Sequence, residues 1–151
     1  MGSLSRLVYQ TCRLWWAVTR PITVGARVLL IRDGRVLLVR HTYQDRWYLP
    51  GGGVKRGETM EQAIRREAAE EVGAALEHLD LFGVYTNFFE GKSDHVAVFV
   101  CSTFTLAGRT DREIERFGFF GVDALPPQAS PGTRRRIDEY VRGDTPCWGM
   151  W

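Results

Sequence analysis

The chain has only three cysteines in 151 residues, Cys12, Cys101 and Cys147, far apart and without a CxxC pair or zinc-ligand spacing. That argues against a disulfide framework and a cysteine-held metal, and predicts free thiols in a reducing cytoplasm. No apolar run approaches the roughly 20 residues needed to cross a bilayer. Charge of one sign is also scarce: 20 Lys and Arg against 18 Asp and Glu leave a formal net charge of +2. The basic residues are spread along the chain, so specific nucleic-acid binding is not expected. Repeats and interdomain linkers are absent. What is present, 44% hydrophobic and 25% charged residues, suits one soluble domain with its own core.

Residues 1–22 stand apart from the rest. Leu4, Leu7, Val8, Leu14, Trp15, Trp16 and Val18 alternate with Arg6, Arg13 and Arg20, which breaks the apolar core and small-residue cleavage site of a secretory signal. Positions 4, 7, 8, 15 and 18 fall at helical spacing and predict an amphipathic helix ended by Pro21. Packing on its own domain is the favoured use of that stripe. A homodimer contact and membrane-surface attachment through residues 4–18 are the alternatives.

From residue 23 to 143 the pattern predicts strands, a helix, more strands and a last helix. Thr23 to Arg32 and Arg35 to Arg40 read as a hairpin, because Asp33-Gly34 supplies the positive φ angles of a tight turn. A short strand at Trp47 to Leu49 is followed by Pro50 and Gly51-Gly52-Gly53, expected to interrupt regular structure. Helix 60–72 has a capping box in Thr59 and Gln62, an apolar stripe in Ile64, Ala68 and Val72, and Gly73 as its stop. Two long strands, Leu79 to Phe89 and Asp94 to Leu106, a charged loop from Gly108 to Glu115, a strand from Phe117 to Val122 and a helix from Thr133 to Arg142 complete an α/β layered domain. No element is predicted for the tail, 144–151.

The chemistry concentrates in Gly51 to Ala74. Glu67, Glu70 and Glu71 stand at i, i+3 and i+4, so their carboxylates share one helix face. Adjacent anions repel by a few tenths of a kcal/mol per pair. The cluster is therefore either a solvated acidic face or a site for a hard cation, magnesium or manganese (Mg2+ or Mn2+) in preference to zinc. Arg66, four residues before Glu70, can hold that carboxylate in place. Three glycines ahead of the helix let the backbone approach a ligand closely.

Together these residues resemble the Nudix box, G-x5-E-x7-R-E-U-x-E-E-x-G-U with U apolar. Gly52, Glu58, Arg66, Glu67, Ala68, Glu70, Glu71, Gly73 and Ala74 fill it with correct spacing. WYLPGGG before it and GFFGVDALPP after it are similar to flanking parts of that family, so the resemblance covers about residues 23–143. It implies an α/β/α sandwich around a mixed sheet, and a metal-dependent hydrolase that cleaves a diphosphate in a nucleotide-linked small molecule. By the same resemblance Glu67, Glu70, Glu71 and the Gly52 carbonyl hold the metal, Arg66 orients the carboxylates and Glu58 anchors the loop. Arg40 matches a phosphate-binding position.

The general base is open among Glu67, Glu70 and the loop residues Glu113 and Glu115. One of Trp47 and Tyr48 is expected in the core; the other, with His41, Tyr43 or Phe119, could stack on a base. Two other functions compete. Removal of diphosphate from RNA 5′ ends would need a basic channel, for which Arg134-Arg135-Arg136 is the one candidate, read as a solvated face. A regulatory module that binds a nucleotide without hydrolysis could lose the box carboxylates, and all are present.

Overall fold

The structure, a computed structural model, describes residues 2–108, 111–144 and 147–151, without the side chains of residues 2–6, 14, 16 and 17. The elements are α1 (Gly2–Thr19), β1 (Ile22–Arg32), β2 (Arg35–His41), β3 (Trp47–Tyr48), β4 (Gly51–Gly53), α2 (Met60–Val72), β5 (Ala74–Leu76), β6 (Asp80–Phe89), β7 (Lys92–Cys101), β8 (Phe104–Leu106), β9 (Ile114–Gly121), α3 (Pro131–Arg142) and β10 (Cys147–Met150). A mixed sheet runs β10-β6-β7-β1-β2-β3, with β4 also paired to β1 and β9 to β2. β1 and β7 are parallel, as are β10 and β6; the other pairs are antiparallel. A separate ribbon joins β5 to β8.

Strand alternation separates two apolar faces. Leu37 and Val39 of β2 pack with Ala26, Val28 and Leu30 of β1 under Ile64, Ala68 and Val72 of α2. Val36 and Leu38 face the other way, with Leu29, Val98 and Ile137 of α3. The result is the expected helix–sheet–helix sandwich. Local signals hold: Asp33 and Gly34 have φ of 50° and 70°, Thr59 and Gln62 form both halves of the capping box, and Gly73 closes α2 in the left-handed conformation.

Several expectations change. Gly51–Gly53 do not interrupt the sheet; they form β4, because the backbones of Gly25, Ala26 and Arg27 lie opposite them. The strand expected from Asp94 to Leu106 breaks after Cys101, and its end turns to pair with β5. The tail becomes a strand. Arg136, read as solvated, is 2% exposed; it lies 3.7 Å from the Tyr85 ring centroid, pairs with Glu139 at 2.8 Å and donates to the Met150 carbonyl at 3.0 Å. It thereby ties β10 to α3.

α1 is a helix, but its apolar stripe does not pack on the domain. Leu7, Val8, Trp15 and Val18 are 59%, 55%, 68% and 77% exposed; the side chains of Leu4, Leu14 and Trp16 lie outside the described set. Another face docks. Tyr9 Oη donates to Glu90 Oε1 at 2.8 Å, Arg13 pairs with the same oxygen at 2.8 Å, and Tyr9 meets Tyr43 at 5.8 Å between centroids. Among the described residues, no helix is long and apolar enough to cross a membrane.

Candidate active site

α2 meets the sheet where β4 lies against β1, and the box residues gather there. Arg66 sits at the centre. Its Nε donates to Glu58 Oε1 at 2.6 Å and its Nη2 to Glu58 Oε2 at 3.0 Å, a two-point clamp on the carboxylate. Its Nη1 reaches Glu67 at 2.6 Å and Glu70 at 3.2 Å, and its Nη2 the Gly53 carbonyl at 3.1 Å. Glu58 also accepts from the Lys55 N–H at 2.9 Å. The Arg66 hydrogen bonds and that N–H hold the Glu58 carboxyl down at about 2.

Gly52 is the close-approach residue. A Cβ built there would lie 2.6 Å from Glu67 Oε1 and 2.7 Å from its Cδ. Only hydrogen leaves room for that carboxylate against the strand. Glu71 is 4% exposed and accepts from the Gly51 N–H at 2.8 Å. Burial, reinforced by Glu67 and Asp111, pushes its carboxyl up to about 8 against the lowering effect of Arg27 and Gly51. Glu70, with its side chain 48% exposed, stands further out.

Among the described residues, no three acidic, histidine or cysteine side chains are already drawn into an ion cage. Glu67 and Glu70 lean on Arg66 while Glu71 turns to Gly51. The donor set nevertheless suits a hard divalent cation. It offers carboxylate oxygens on one helix face, a glycine with no Cβ against Glu67, and a buried acid crowded by two others.

A cleft of about 650 Å³ opens beside these residues, lined by Glu67, Glu71 and Gly51–Gly53 and also by Arg27, Tyr48 and Glu113. Of the sequence-predicted residues, His41, Tyr43, Tyr48 and Glu113 line it beside Gly52, Glu67 and Glu71, whereas Glu58, Arg66 and Glu70 lie outside the lining. Asp111, Glu67 and Glu70 add to burial in raising the Glu113 carboxyl. Arg40, Glu115, Trp47 and Phe119 do not line it. A register shift at Arg40/His41 pairs Arg40 with Arg116 and His41 with Ile114, leaving Glu115 as the extra residue. Along β2 the alternation is unbroken, so Arg40 falls on the Val36 and Leu38 face, with Glu115 Oε2 3.1 Å from its Nε, while His41 shares the Leu37 and Val39 face and lines the cleft. Trp47 is buried against Phe120 at 4.8 Å, and Phe119 stacks on Phe104 at 6.4 Å.

Sequence reasoning missed Arg27, whose Nη1 donates to the carbonyls of Leu49, at 3.2 Å, and Gly51. The signal was available: one charge inside an otherwise buried strand. It also gave His41 no more than a stacking role. His41 is 6% exposed, its Nε2 is 3.7 Å from Glu71, and its Nδ1 has no hydrogen-bond partner. Burial and Arg27 lower its pKa to about 4, so the contact with Glu71 involves a neutral ring. Tyr9 and Trp151, from the two ends of the chain, line the cleft as well.

Comparison with known proteins agrees with this geometry. The NUDIX domain family profile matches residues 20–140. A MutT-like protein of Streptomyces ambofaciens is 41% identical over 121 residues, 80% of this chain and 77% of that protein. An ADP-ribose pyrophosphatase of Methanocaldococcus jannaschii is 29% identical over 76% of this chain and 70% of its own. The crystal structure of a MutT NUDIX hydrolase from Burkholderia pseudomallei superposes with a TM-score of 0.71 at 31% identity, over 78% of this chain and 96% of that one. With the box carboxylates, their arginine and the glycine strand in one place, this chain belongs to the Nudix hydrolases, a family of typically metal-dependent enzymes that cleave acid anhydrides in nucleoside diphosphate-linked compounds.

Proposed function

We propose that the chain is a magnesium- or manganese-dependent pyrophosphohydrolase acting on an NTP, a dNTP or a nucleoside diphosphate-X small molecule. The observation that carries this reading is the convergence of Glu67, Glu71 and the Gly52 backbone on a cleft that also holds Arg27, Glu113 and aromatic side chains. Glu67, Glu70, Glu71 and the Gly52 carbonyl would hold the cation, after Glu67 and Glu70 rotate from Arg66. When bound, the cation supplies charge neutralisation at the diphosphate oxygens and a lowered pKa for the attacking water. Arg66 orients Glu67 and Glu70, and Glu58 anchors Arg66 to the loop.

Arg27 replaces Arg40 as the cationic contact for a phosphate oxygen. Glu113 is the base of choice: it lines the cleft, and its raised pKa brings it closer to neutral pH. It takes a proton from water as the new oxygen–phosphorus bond forms. The anhydride bond then breaks, with its electron pair leaving on the departing phosphate. Tyr48 and Tyr43 offer faces to the base.

RNA 5′ ends suit the site less well. Of the three consecutive arginines, Arg136 is buried under Tyr85, while Arg134 and Arg135 donate to the carbonyls of Pro126 and Trp151. They do not form an open basic channel. A homodimer is the expected assembly. Ile22, Val84, Phe88, Trp148 and Met150 are 76%, 42%, 68%, 82% and 59% exposed, and β10 is an uncharged edge strand.

The test is release of phosphate or pyrophosphate, with and without magnesium, from NTPs, oxidised dNTPs, ADP-ribose, dinucleoside polyphosphates, NADH and nucleotide sugars. Glu70→Gln is the control. Magnesium-dependent turnover of one class, lost in the control, is the expected result. Equal turnover by the control at saturating magnesium would remove the proposed mechanism.

A further inference from the structure

The carboxylates occupy one end of the cleft; the other end is built from segments whose role the box does not explain. A run of aromatic rings leads away from Glu71. His41 meets Tyr43 at 5.2 Å between centroids, and Tyr43 meets Tyr9 of α1 at 5.8 Å. Tyr9 Oη then donates to Glu90 Oε1 at 2.8 Å, at the turn between β6 and β7. Tyr9, Tyr43, His41 and Glu90 all line the cleft.

Glu90 is an unusual anchor. Its side chain is 6% exposed and its Oε1 already takes Tyr9 and Arg13. Its Oε2 is buried with no hydrogen-bond partner. A buried carboxylate oxygen without a donor is unfavourable, and such atoms call for a missing partner. α1 can yield to admit one, since its outer side chains Leu7, Val8, Trp15 and Val18 are exposed, and among the described residues Tyr9 and Arg13 both hold it through Glu90, with Gln44 a further partner of Tyr9.

We propose that Tyr9, Tyr43 and Glu90 form the nucleoside end of the cleft, with α1 as its movable wall. The ligand is a nucleoside whose base stacks against the Tyr9 and Tyr43 rings. An N–H or O–H of that nucleoside, an exocyclic amino group or a ribose hydroxyl, donates to Glu90 Oε2. The inference rests on the hydrolase reading, because the diphosphate must lie toward Glu71 for the nucleoside to reach Tyr9. It makes α1 part of the substrate site, and it gives the helix a use that its exposed apolar stripe does not.

The experiment is calorimetric titration of the full chain with AMP, GMP, CMP and UMP, and separately with inorganic pyrophosphate in magnesium. Glu90→Gln turns the free acceptor toward a donor and Tyr9→Ala removes one ring; each should weaken nucleoside monophosphate binding about tenfold. Pyrophosphate binding should stay at the wild-type value. Tyr43→Ala removes the other ring while leaving the Tyr9–Glu90 and Arg13–Glu90 ties of α1 in place, should also weaken nucleotide binding about tenfold, and separates loss of stacking from undocking of α1. Repeating the series with 2′-deoxy nucleotides locates the donor. If Glu90 sensitivity disappears, the donor is the ribose hydroxyl; if it instead tracks the base, the donor is the amino group. Nucleotide binding unchanged in both Glu90→Gln and Tyr9→Ala, beside normal wild-type turnover, overturns this site and leaves the hydrolase reading intact. Failure of the wild type to bind pyrophosphate or turn over any diphosphate overturns both.

Discussion

Three adjacent glycines meet different neighbours, so one substitution made at each separates folding from chemistry. At Gly52 the three atoms nearest an alanine Cβ would all belong to the Glu67 carboxylate, at 2.6 to 2.9 Å. The carboxylate ends a flexible side chain and can move. Reaching ordinary contact near 3.4 Å requires a shift of about 0.8 Å, and a misplacement of about 1 Å costs on the order of 100-fold in rate. The shift in Glu67 rotamer costs about 0.5–1.5 kcal/mol, offset by about 0.4–1 kcal/mol from the stiffer unfolded chain. Gly52→Ala should therefore unfold within about 1 kcal/mol of wild type while losing about 100-fold in kcat/KM. Gly51→Ala should fail differently. Gly51 has φ +136°, and its Cβ would land on the Ala26 carbonyl oxygen and within 2.9 Å of Arg27 Cα. Strain plus backbone displacement should cost more than about 3 kcal/mol. Gly53→Ala meets nothing within 4 Å and should be near neutral in both respects. Urea denaturation and magnesium-dependent turnover on the substrate found by screening give both numbers. Wild-type kcat/KM in Gly52→Ala, or unfolding as severe as that of Gly51→Ala, would refute the argument that Gly52 exists to make room for Glu67.

Glu70→Gln should keep its stability within about 0.5 kcal/mol, since Glu70 is half-exposed, yet lose most turnover; denaturation and phosphate release measured on one preparation decide it. Glu58 titrates near 2 in the fold, below the ordinary carboxylate range. Its stabilising contribution is therefore complete above about pH 5 and lost as pH falls toward about 2. The stability difference between wild type and Glu58→Gln, followed by denaturation from pH 7 to pH 2, should shrink through that window, and a difference that grows with acid would contradict the Arg66 clamp. Trp148→Glu should convert a dimer to monomer in light scattering without loss of helix signal by circular dichroism. A wild type already monomeric at micromolar concentration would remove the homodimer.

Features carried by neighbouring residues were legible in the sequence. The capping box of α2, its Ile64–Ala68–Val72 stripe, the Asp33-Gly34 turn and the one-face placement of Glu67, Glu70 and Glu71 all follow from local geometry. The resemblance to the Nudix box was legible as well, because its nine specified positions lie in one contiguous segment, Gly52 to Ala74. Tertiary structure decided the rest. Gly51–Gly53 and the tail are strands only because β1 and β6 lie beside them, and hydrogen bonds to a distant strand leave no periodic mark on three or four residues. Alternation along β2 already set His41 on the Leu37 and Val39 face and Arg40 on the other, but only the fold showed that the cleft opens on the His41 side. The bulge acts on β9, where the extra Glu115 brings Ile114 to the same face as Phe117. Arg136 became a core residue because Tyr85, Glu139 and the Met150 carbonyl surround its guanidinium, and no spacing along the chain encodes such an enclosure. α1 shows the division within one element: its helical period was written in the sequence, but Glu90, folded in from 81 residues away, decided which face docks.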